Sequence, residues 1–229
     1  MYVYTIKRLW LHDLNRFKFS CLASLMDLLT HFLGNLSKEL VVCYGGPATG
    51  KTLLCLTAAA SVIKQGKKII YIDTEKGFFI ERFQQVLGDQ DPKHLDSMIV
   101  FRPTSFKGQH EQILQLGKLL QQPKIGLLIV DTLGYFYRRM LKNKLLLANR
   151  MLITQVNTLR SYAQHLPIIV TNQVYTDMET QAQKIVGGEI LLRSGQRIIE
   201  LQKDSRKIIL QQPEKKESLF TIDPSGFRF

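Results

Sequence analysis

Apolar residues recur along the chain in two alternating rhythms. Solid short runs occur at Lys38–Tyr44 (KELVVCY), Lys68–Asp73 (KIIYID), Ser97–Phe101 (SMIVF), Ile125–Asp131 (IGLLIVD) and Pro167–Thr171 (PIIVT). Runs of this length without polar alternation predict strands buried on both faces. Between them the apolar positions take helical spacing: Thr52–Lys64 with Gly66 as a stop, Phe78–Leu87, Gln109–Gln121 ended by Pro123, and Lys144–His165. Leu22–Leu29 has the same helical spacing. Strand and helix in alternation predict βαβ units and a mostly parallel, twisted sheet flanked by helices. Beyond a polar stretch, Gln196–Gln202, Lys207–Gln211 and Ser218–Asp223 predict three antiparallel strands. Residues 1–17 fit no clear element. With no repeat or linker in view, the pattern predicts one α/β core over 22–229, preceded by a poorly ordered extension over 1–21.

Composition narrows the class. At 229 residues and 45% hydrophobic content, the chain can bury a sizeable core, and intrinsic disorder is excluded. Lys and Arg number 31 against 19 Asp and Glu, a formal net charge of +12. That balance points to a polyanionic partner, either nucleic acid or an anionic membrane surface. Cys21, Cys43 and Cys55 make no paired spacing pattern and no C-x-x-C, which argues against a disulfide framework or a zinc site. No apolar run approaches a membrane span, and the basic N-terminus lacks an uninterrupted apolar core for a signal. The chain reads as a soluble protein of a reducing compartment with no membrane partner.

The sharpest motif is Gly45-Gly46-Pro47-Ala48-Thr49-Gly50-Lys51-Thr52, a G-x-x-x-x-G-K-[ST] loop between a predicted strand and a predicted helix. Glycines let the backbone curl so that its N–H groups face phosphate oxygens, and the helix N-terminus adds partial positive charge. In such loops the lysine, here Lys51, reaches the β- and γ-phosphates of ATP, and the hydroxyl, here Thr52, is a ligand for Mg²⁺. Asp131 closes the run LLIVD, where a carboxylate holds the metal's water shell; an N-cap role is the plainer alternative. Glu75, just past the strand at 68–73, is a candidate base for the attacking water, against a solvated loop acid. Asp73, nearer the strand, is read as orienting that loop. In Thr171-Asn172-Gln173 an amide can sense the γ-phosphate and pass its loss to the loop that follows; a turn-forming Asn is the alternative.

Taken together these pieces resemble the RecA-like recombinases, and most closely their short archaeal paralogues. The carriers are GGPATGKT at 45–52, YIDTEKGF at 71–78 with Glu81-Arg82, LLIVDT at 127–132, Ala148-Asn149-Arg150, IIVTNQVYTD at 168–177 and Val186–Leu191 (VGGEIL). The resemblance runs from about Leu22 to the end. It implies a RecA-like P-loop ATPase core. It implies phosphate and Mg²⁺ contacts from Lys51 and Thr52, a catalytic Glu75, a metal-shell Asp131, a γ-phosphate sensor in Gln173 and Arg82 near the adenine. It also implies DNA-contacting loops over 174–186 and after Gly134. The implied role is an ATP- and DNA-binding accessory of homologous recombination and repair, with weak Mg²⁺-dependent hydrolysis and no strand exchange. Implied partners are single-stranded or branched DNA, the main recombinase and a Holliday-junction resolvase, in a cytoplasmic, nucleoid-associated setting. Only about 40 residues precede the phosphate loop, too few for the helix-hairpin-helix domain of the full-length relatives. Gln212-Pro213 stands where the recombinases place an Asp-Pro cap over a neighbour's ATP, which speaks against an ATP-linked filament while leaving an oligomer open.

Position sharpens the charge. From Thr132 to Thr176 there is no Asp or Glu, and six basic residues: Arg138, Arg139, Lys142, Lys144, Arg150 and Arg160. Four of them lie in Arg138–Lys144, directly after Tyr135-Phe136-Tyr137. Basic residues beside aromatics suit single strands, charge tracking phosphates and rings stacking on bases. A solvated helix face with core aromatics is the plainer alternative. Arg138, Arg139, Lys142 and Lys144, with Lys184 and the backbone at Gly187 and Gly188, form the candidate DNA surface. Two other functions remain: a RecA-fold nucleotide switch that binds proteins rather than DNA, and a ring helicase subunit.

Overall fold

In the computed structural model, which describes residues 31–88, 92–141, 144–178, 183–223 and 226–229, the apolar runs become the centre of a nine-stranded sheet. Its strands are β1 (Leu40–Gly45), β2 (Lys68–Asp73), β3 (Met98–Phe101), β4 (Ile125–Asp131), β5 (Ile168–Thr176), β6 (Gln183–Ile185), β7 (Arg197–Gln202), β8 (Lys207–Gln212) and β9 (Lys216–Leu219). Spatial order is β3-β2-β4-β5-β1-β7-β8-β9, with β6 paired to β5. In that order β3, β2, β4, β5, β1 and β7 run parallel, β8 and β9 add antiparallel at one edge, and β6 lies antiparallel to β5.

The helices are α1 (Lys51–Lys64), α2 (Ile80–Leu87), α3 (Phe106–Gln115), α4 (Gly117–Leu120), α5 (Gly134–Leu141), α6 (Leu145–Tyr162) and α7 (Gly188–Ser194). Because side chains alternate across a strand, each central strand feeds two cores. Val41, Cys43, Ile69, Tyr71, Leu127, Ile129 and Ile169 pack under α1 and α2. Leu40, Val42, Ile70, Ile72, Leu128, Val130, Ile168 and Val170 pack under α3 to α7. The strand ends gather Gly45, Asp73, Asp131 and Gln173 along one edge of the sheet, where α/β proteins place their ligands.

The structure departs from the sequence pattern in several places. The helix expected over 109–121 begins at Phe106, because Ser105 accepts from the N–H of Gly108 as an N-cap, and it breaks into α3 and α4 at Leu116. The basic stretch after Gly134 is itself a helix, α5, and not a loop. The tail is not three antiparallel strands, since β7 runs parallel to β1 and only β8 and β9 reverse. The expected strand at 218–223 is divided by buried Phe220, after which β10 (Thr221–Asp223) leaves the sheet to pair with β11 (Gly226–Arg228). The rings of Phe220 and Phe227 sit 4.9 Å apart and tie this hairpin to the α1 side of the core. The extension over 1–21 and the helix over Leu22–Leu29 lie outside the described residues, as does Cys21. Cys43 and Cys55 are free thiols and fully buried. Among the described residues no helix is long and apolar enough to cross a membrane.

Candidate functional site

The loop between β1 and α1 is shaped by what its glycines must avoid. A Cβ on Gly45 would collide with the backbone carbonyl of Leu201 in β7, and Gly50 sits at φ +105° with the Phe227 ring 3.0 Å from where its Cβ would be. Neither position tolerates a side chain without rearrangement. Gly50 leaves the first turn of α1 without a capping side chain, so its N–H groups are available to a ligand. The Thr49 hydroxyl donates to the Gly46 carbonyl at 2.9 Å and braces the loop from within.

Lys51, at the start of α1, is buried, and its Nζ donates to the carbonyls of Gly45 (2.9 Å) and Gly46 (2.6 Å). Burial lowers its pKa from the usual lysine range, because the site disfavours an ammonium that water no longer solvates; Asp131 and Glu75 act in the opposite sense. Thr52 donates from Oγ1 to Asp131 Oδ2 at 2.8 Å. The same carboxylate oxygen receives the Tyr71 hydroxyl at 2.7 Å, and Asp131 Oδ1 receives the Thr171 hydroxyl. Tyr71 is wholly buried, and desolvation, followed by the charge of Asp131, pushes its phenol well above its ordinary pKa.

Glu75 is exposed at the turn after β2. Its Oε1 accepts from Thr132 Oγ1 at 2.6 Å and from Gln173 Nε2 at 2.8 Å. Asp73 holds that turn. It is 1% exposed and accepts from the N–H groups of Gly77 (2.9 Å) and Phe78 (3.3 Å) and from Arg102 Nε (3.2 Å). Arg102 also donates to the Phe78 carbonyl, so the turn carrying Glu75 is gripped from two sides.

These groups share one cleft of about 400 Å³, lined by residues 47–53 of the loop and helix, by Glu75, Gly77, Asp131, Thr132 and Gln173, and at one end by Arg82 and Ile222. Arg82 reaches across to donate to the Asp223 carbonyl in β10 at 3.0 Å. Gly45 and Gly46 are not in that lining; with Pro47 and Thr49 they border a second cleft. Asn172 does not face the phosphate side. It is fully buried, and its amide donates to the Val186 carbonyl, tying the end of β6 to the strand that carries Gln173.

The donor set suits a nucleotide with Mg²⁺. A buried ammonium and a glycine-shaped helix N-terminus match phosphate oxygens. One hydroxyl and one carboxylate match a hard cation that keeps waters and phosphate oxygens in its shell. Thr52 would ligate such an ion directly and Asp131 through water, and the ion would neutralise charge on the β- and γ-phosphates. Among the described residues no cluster of three His, Cys, Asp or Glu offers an all-protein metal cage.

The candidate DNA residues are spread over neighbouring elements. Arg138 and Arg139 are exposed in the last turn of α5, with the Arg139 guanidinium 5.9 Å from the centre of the Tyr135 ring. Lys144 is exposed just before α6, and Lys142 lies outside the described residues. Of the aromatics beside them, Phe136 and Tyr137 are core residues, and Tyr137 donates to Asn149 in α6 at 2.7 Å. Lys184 pairs with Asp177 across the β5–β6 hairpin. Gly187 has φ +67° and caps α7, with Leu152 Cδ2 2.6 Å from where a Cβ would be, so packing already accounts for this glycine.

Sequence reasoning passed over Tyr71, Thr171, Thr132, Arg102 and Ile222. The first two are polar tips inside apolar strands, and that mismatch was a visible signal for a buried hydrogen-bonding role. Thr132 adjoins a residue already singled out. Arg102 and Ile222 come from distant segments, and no local pattern marks them.

Residues 24–227 match the Rad51 family. The DNA repair and recombination protein RadB of Methanococcoides burtonii is 33% identical over 196 residues, covering 81% of this chain and 86% of the relative. RadB of Methanocaldococcus jannaschii is 36% identical over 148 residues, covering 62% and 69%. A crystal structure of the RadB recombinase aligns with a TM-score of 0.71 at 30% identity, over 89% of this chain and 95% of that one. The chain therefore belongs to the Rad51 family of RecA-like proteins, in its RadB branch.

Proposed function

We propose that this chain is an ATP- and DNA-binding accessory protein of homologous recombination and DNA repair, with weak Mg²⁺-dependent ATP hydrolysis and no strand exchange of its own. One observation carries the nucleotide half: Lys51, Thr52, Asp131, Glu75 and Gln173, from four separate segments, meet in a single cleft. Phosphates would sit against the loop and Lys51, with the base toward Arg82 and Ile222. Glu75 would take a proton from the attacking water, and Gln173, bonded to Glu75, would register the γ-phosphate.

DNA contact rests on the basic helix α5, which starts three residues after Asp131. Charge there serves phosphates without base selectivity, as suits single-stranded or branched DNA. The main recombinase and a Holliday-junction resolvase are the protein partners in this reading, in a cytoplasmic, nucleoid-associated setting.

The deciding experiment is single-stranded DNA binding across a salt series, with and without ATP and Mg²⁺. Affinity should fall steeply with salt, and the double change Arg138→Glu/Arg139→Glu should weaken binding and flatten the slope. Absent or salt-independent binding sinks the DNA half. One observation favours a second reading, a nucleotide switch that binds protein: Leu145, Leu146 and Leu147 are exposed at the start of α6, Leu146 at 78%. Nucleotide-dependent capture of a recombination protein that survives nuclease treatment, with no DNA affinity, would select it.

A further inference from the structure

Asp131 is almost fully buried, and three hydroxyl groups converge on it. Thr52 (2.8 Å) and Tyr71 (2.7 Å) donate to Oδ2, and Thr171 (2.5 Å) donates to Oδ1. Only Thr52 belongs to the phosphate loop. Tyr71 lies within β2 and Thr171 within β5, the two strands that flank β4 on either side. Both are fully buried on the sheet face that carries α1. The carboxylate at the end of β4 is thus held laterally by each neighbouring strand, one oxygen apiece.

Such an arrangement has a cost. Burying a hydroxyl is unfavourable unless it is paired, and a Phe or Val would fill nearly the same volume. A carboxylate offers about four lone-pair sites, and three are occupied here, which leaves about one to face the cleft. Since Thr52 spends its proton on Asp131, its oxygen lone pairs stay free for a cation. Tyr71 and Thr171 do not themselves line the cleft; their hydroxyl groups act on Asp131, which does.

We propose that Tyr71 and Thr171 are positioning residues that fix the Asp131 carboxylate in the orientation required by Thr52 and by the Mg²⁺ of a bound nucleotide. This rests on the ATP reading above and extends it to two residues remote from the phosphates. Groups that orient a metal-binding carboxylate are worth on the order of ten- to a hundredfold in metal affinity, and the water-mediated case belongs at the lower end.

The test uses Tyr71→Phe and Thr171→Val, each removing one hydroxyl from a side chain of nearly unchanged shape, with Thr171→Ser as the variant that keeps it. Affinity for a fluorescent ATP analogue is measured in EDTA and across a Mg²⁺ titration. In EDTA all variants should match the parent. Half-saturation by Mg²⁺ should rise on the order of tenfold in Tyr71→Phe and Thr171→Val, and Thr171→Ser should restore it. Folded variants whose Mg²⁺ dependence matches the parent overturn the proposal. Should Tyr71→Phe fail to fold, the Val and Ser variants at Thr171 decide the matter. A parent protein that binds no analogue, or ignores Mg²⁺, overturns the ATP reading and this proposal with it. A responsive parent with unaltered variants sinks the positioning role alone.

Discussion

Replacing Gly187 with alanine separates two duties for the Gly187-Gly188 pair: offering backbone to DNA, or letting α7 pack against α6. Gly187 sits at φ +67°, a left-handed conformation that costs an alanine about 1–2 kcal/mol. Its new methyl would stand 2.6 Å from Leu152 Cδ2 and 3.4 Å from Tyr137 Cε1. Leu152 is fully buried, so its side chain has no solvent side to retreat into. Forcing an extra carbon into such a contact costs about 1–3 kcal/mol. The sum predicts a loss of about 2–5 kcal/mol for Gly187→Ala, read as a lower urea midpoint with an unchanged slope. The second arm is Leu152→Val in the same background, which makes room for the methyl. It should recover part of the loss, a coupling of about 1 kcal/mol in the double-mutant cycle. A loss below about 0.5 kcal/mol, or no relief from Leu152→Val, refutes the packing argument. DNA affinity of the folded variant, compared at equal salt, then shows whether the glycine backbone also meets the strand.

The remaining predictions concern the cleft and the buried polar groups. Lys51→Ala should weaken nucleotide binding by about tenfold or more, the worth of a charge-assisted contact, seen as a lost signal from a fluorescent ATP analogue. Glu75→Gln should leave that affinity near the parent value while cutting turnover by about a hundredfold, as for loss of a general base; two fully active variants would remove both assignments. Asp73→Asn should cost about 1–2 kcal/mol and speed amide exchange at Gly77 and Phe78, whose N–H groups Asp73 now holds. Unchanged exchange there would show that the turn carrying Glu75 is held by other contacts. Burial pushes the Cys43 thiol up to about 12 and raises Cys55 in the same way, so both should resist iodoacetamide at pH 8 until guanidinium unfolds the chain. Rapid alkylation of Cys43 or Cys55 in the native protein would show the core to be open.

Much of the architecture is legible in the sequence because buried parallel strands need unbroken apolar runs. Lys68–Asp73 and Ile125–Asp131 have the bounds their composition predicts. The phosphate loop is legible for a comparable reason: its geometry is made by backbone, and glycine spacing reports backbone directly. Period two also places Tyr71, Asp131, Thr171 and Gln173 on the α1 side of the sheet once strand order is known, although their spacing along the chain shows nothing of it.

Contacts between distant segments are where local pattern fails. Helical periodicity around Gly134–Leu141 is hidden by aromatics and arginines, and the stretch is helical because Phe136 and Tyr137 are anchored in the core. The tail strands look alike in sequence, yet β7 runs parallel to β1 and β10 abandons the sheet, decisions set by pairing partners and by the burial of Phe220. The sequence by itself determined the strand–helix alternation, the phosphate loop and the identity of the acids and amide at the strand ends, since these follow from local composition and spacing. Tertiary structure alone decided that β2, β4 and β5 lie side by side. Only that adjacency brings the hydroxyl groups of Tyr71 and Thr171 onto Asp131, joins Glu75 to Gln173, and turns separate motifs into one site, because hydrogen bonds act over about 3 Å of space regardless of separation along the chain.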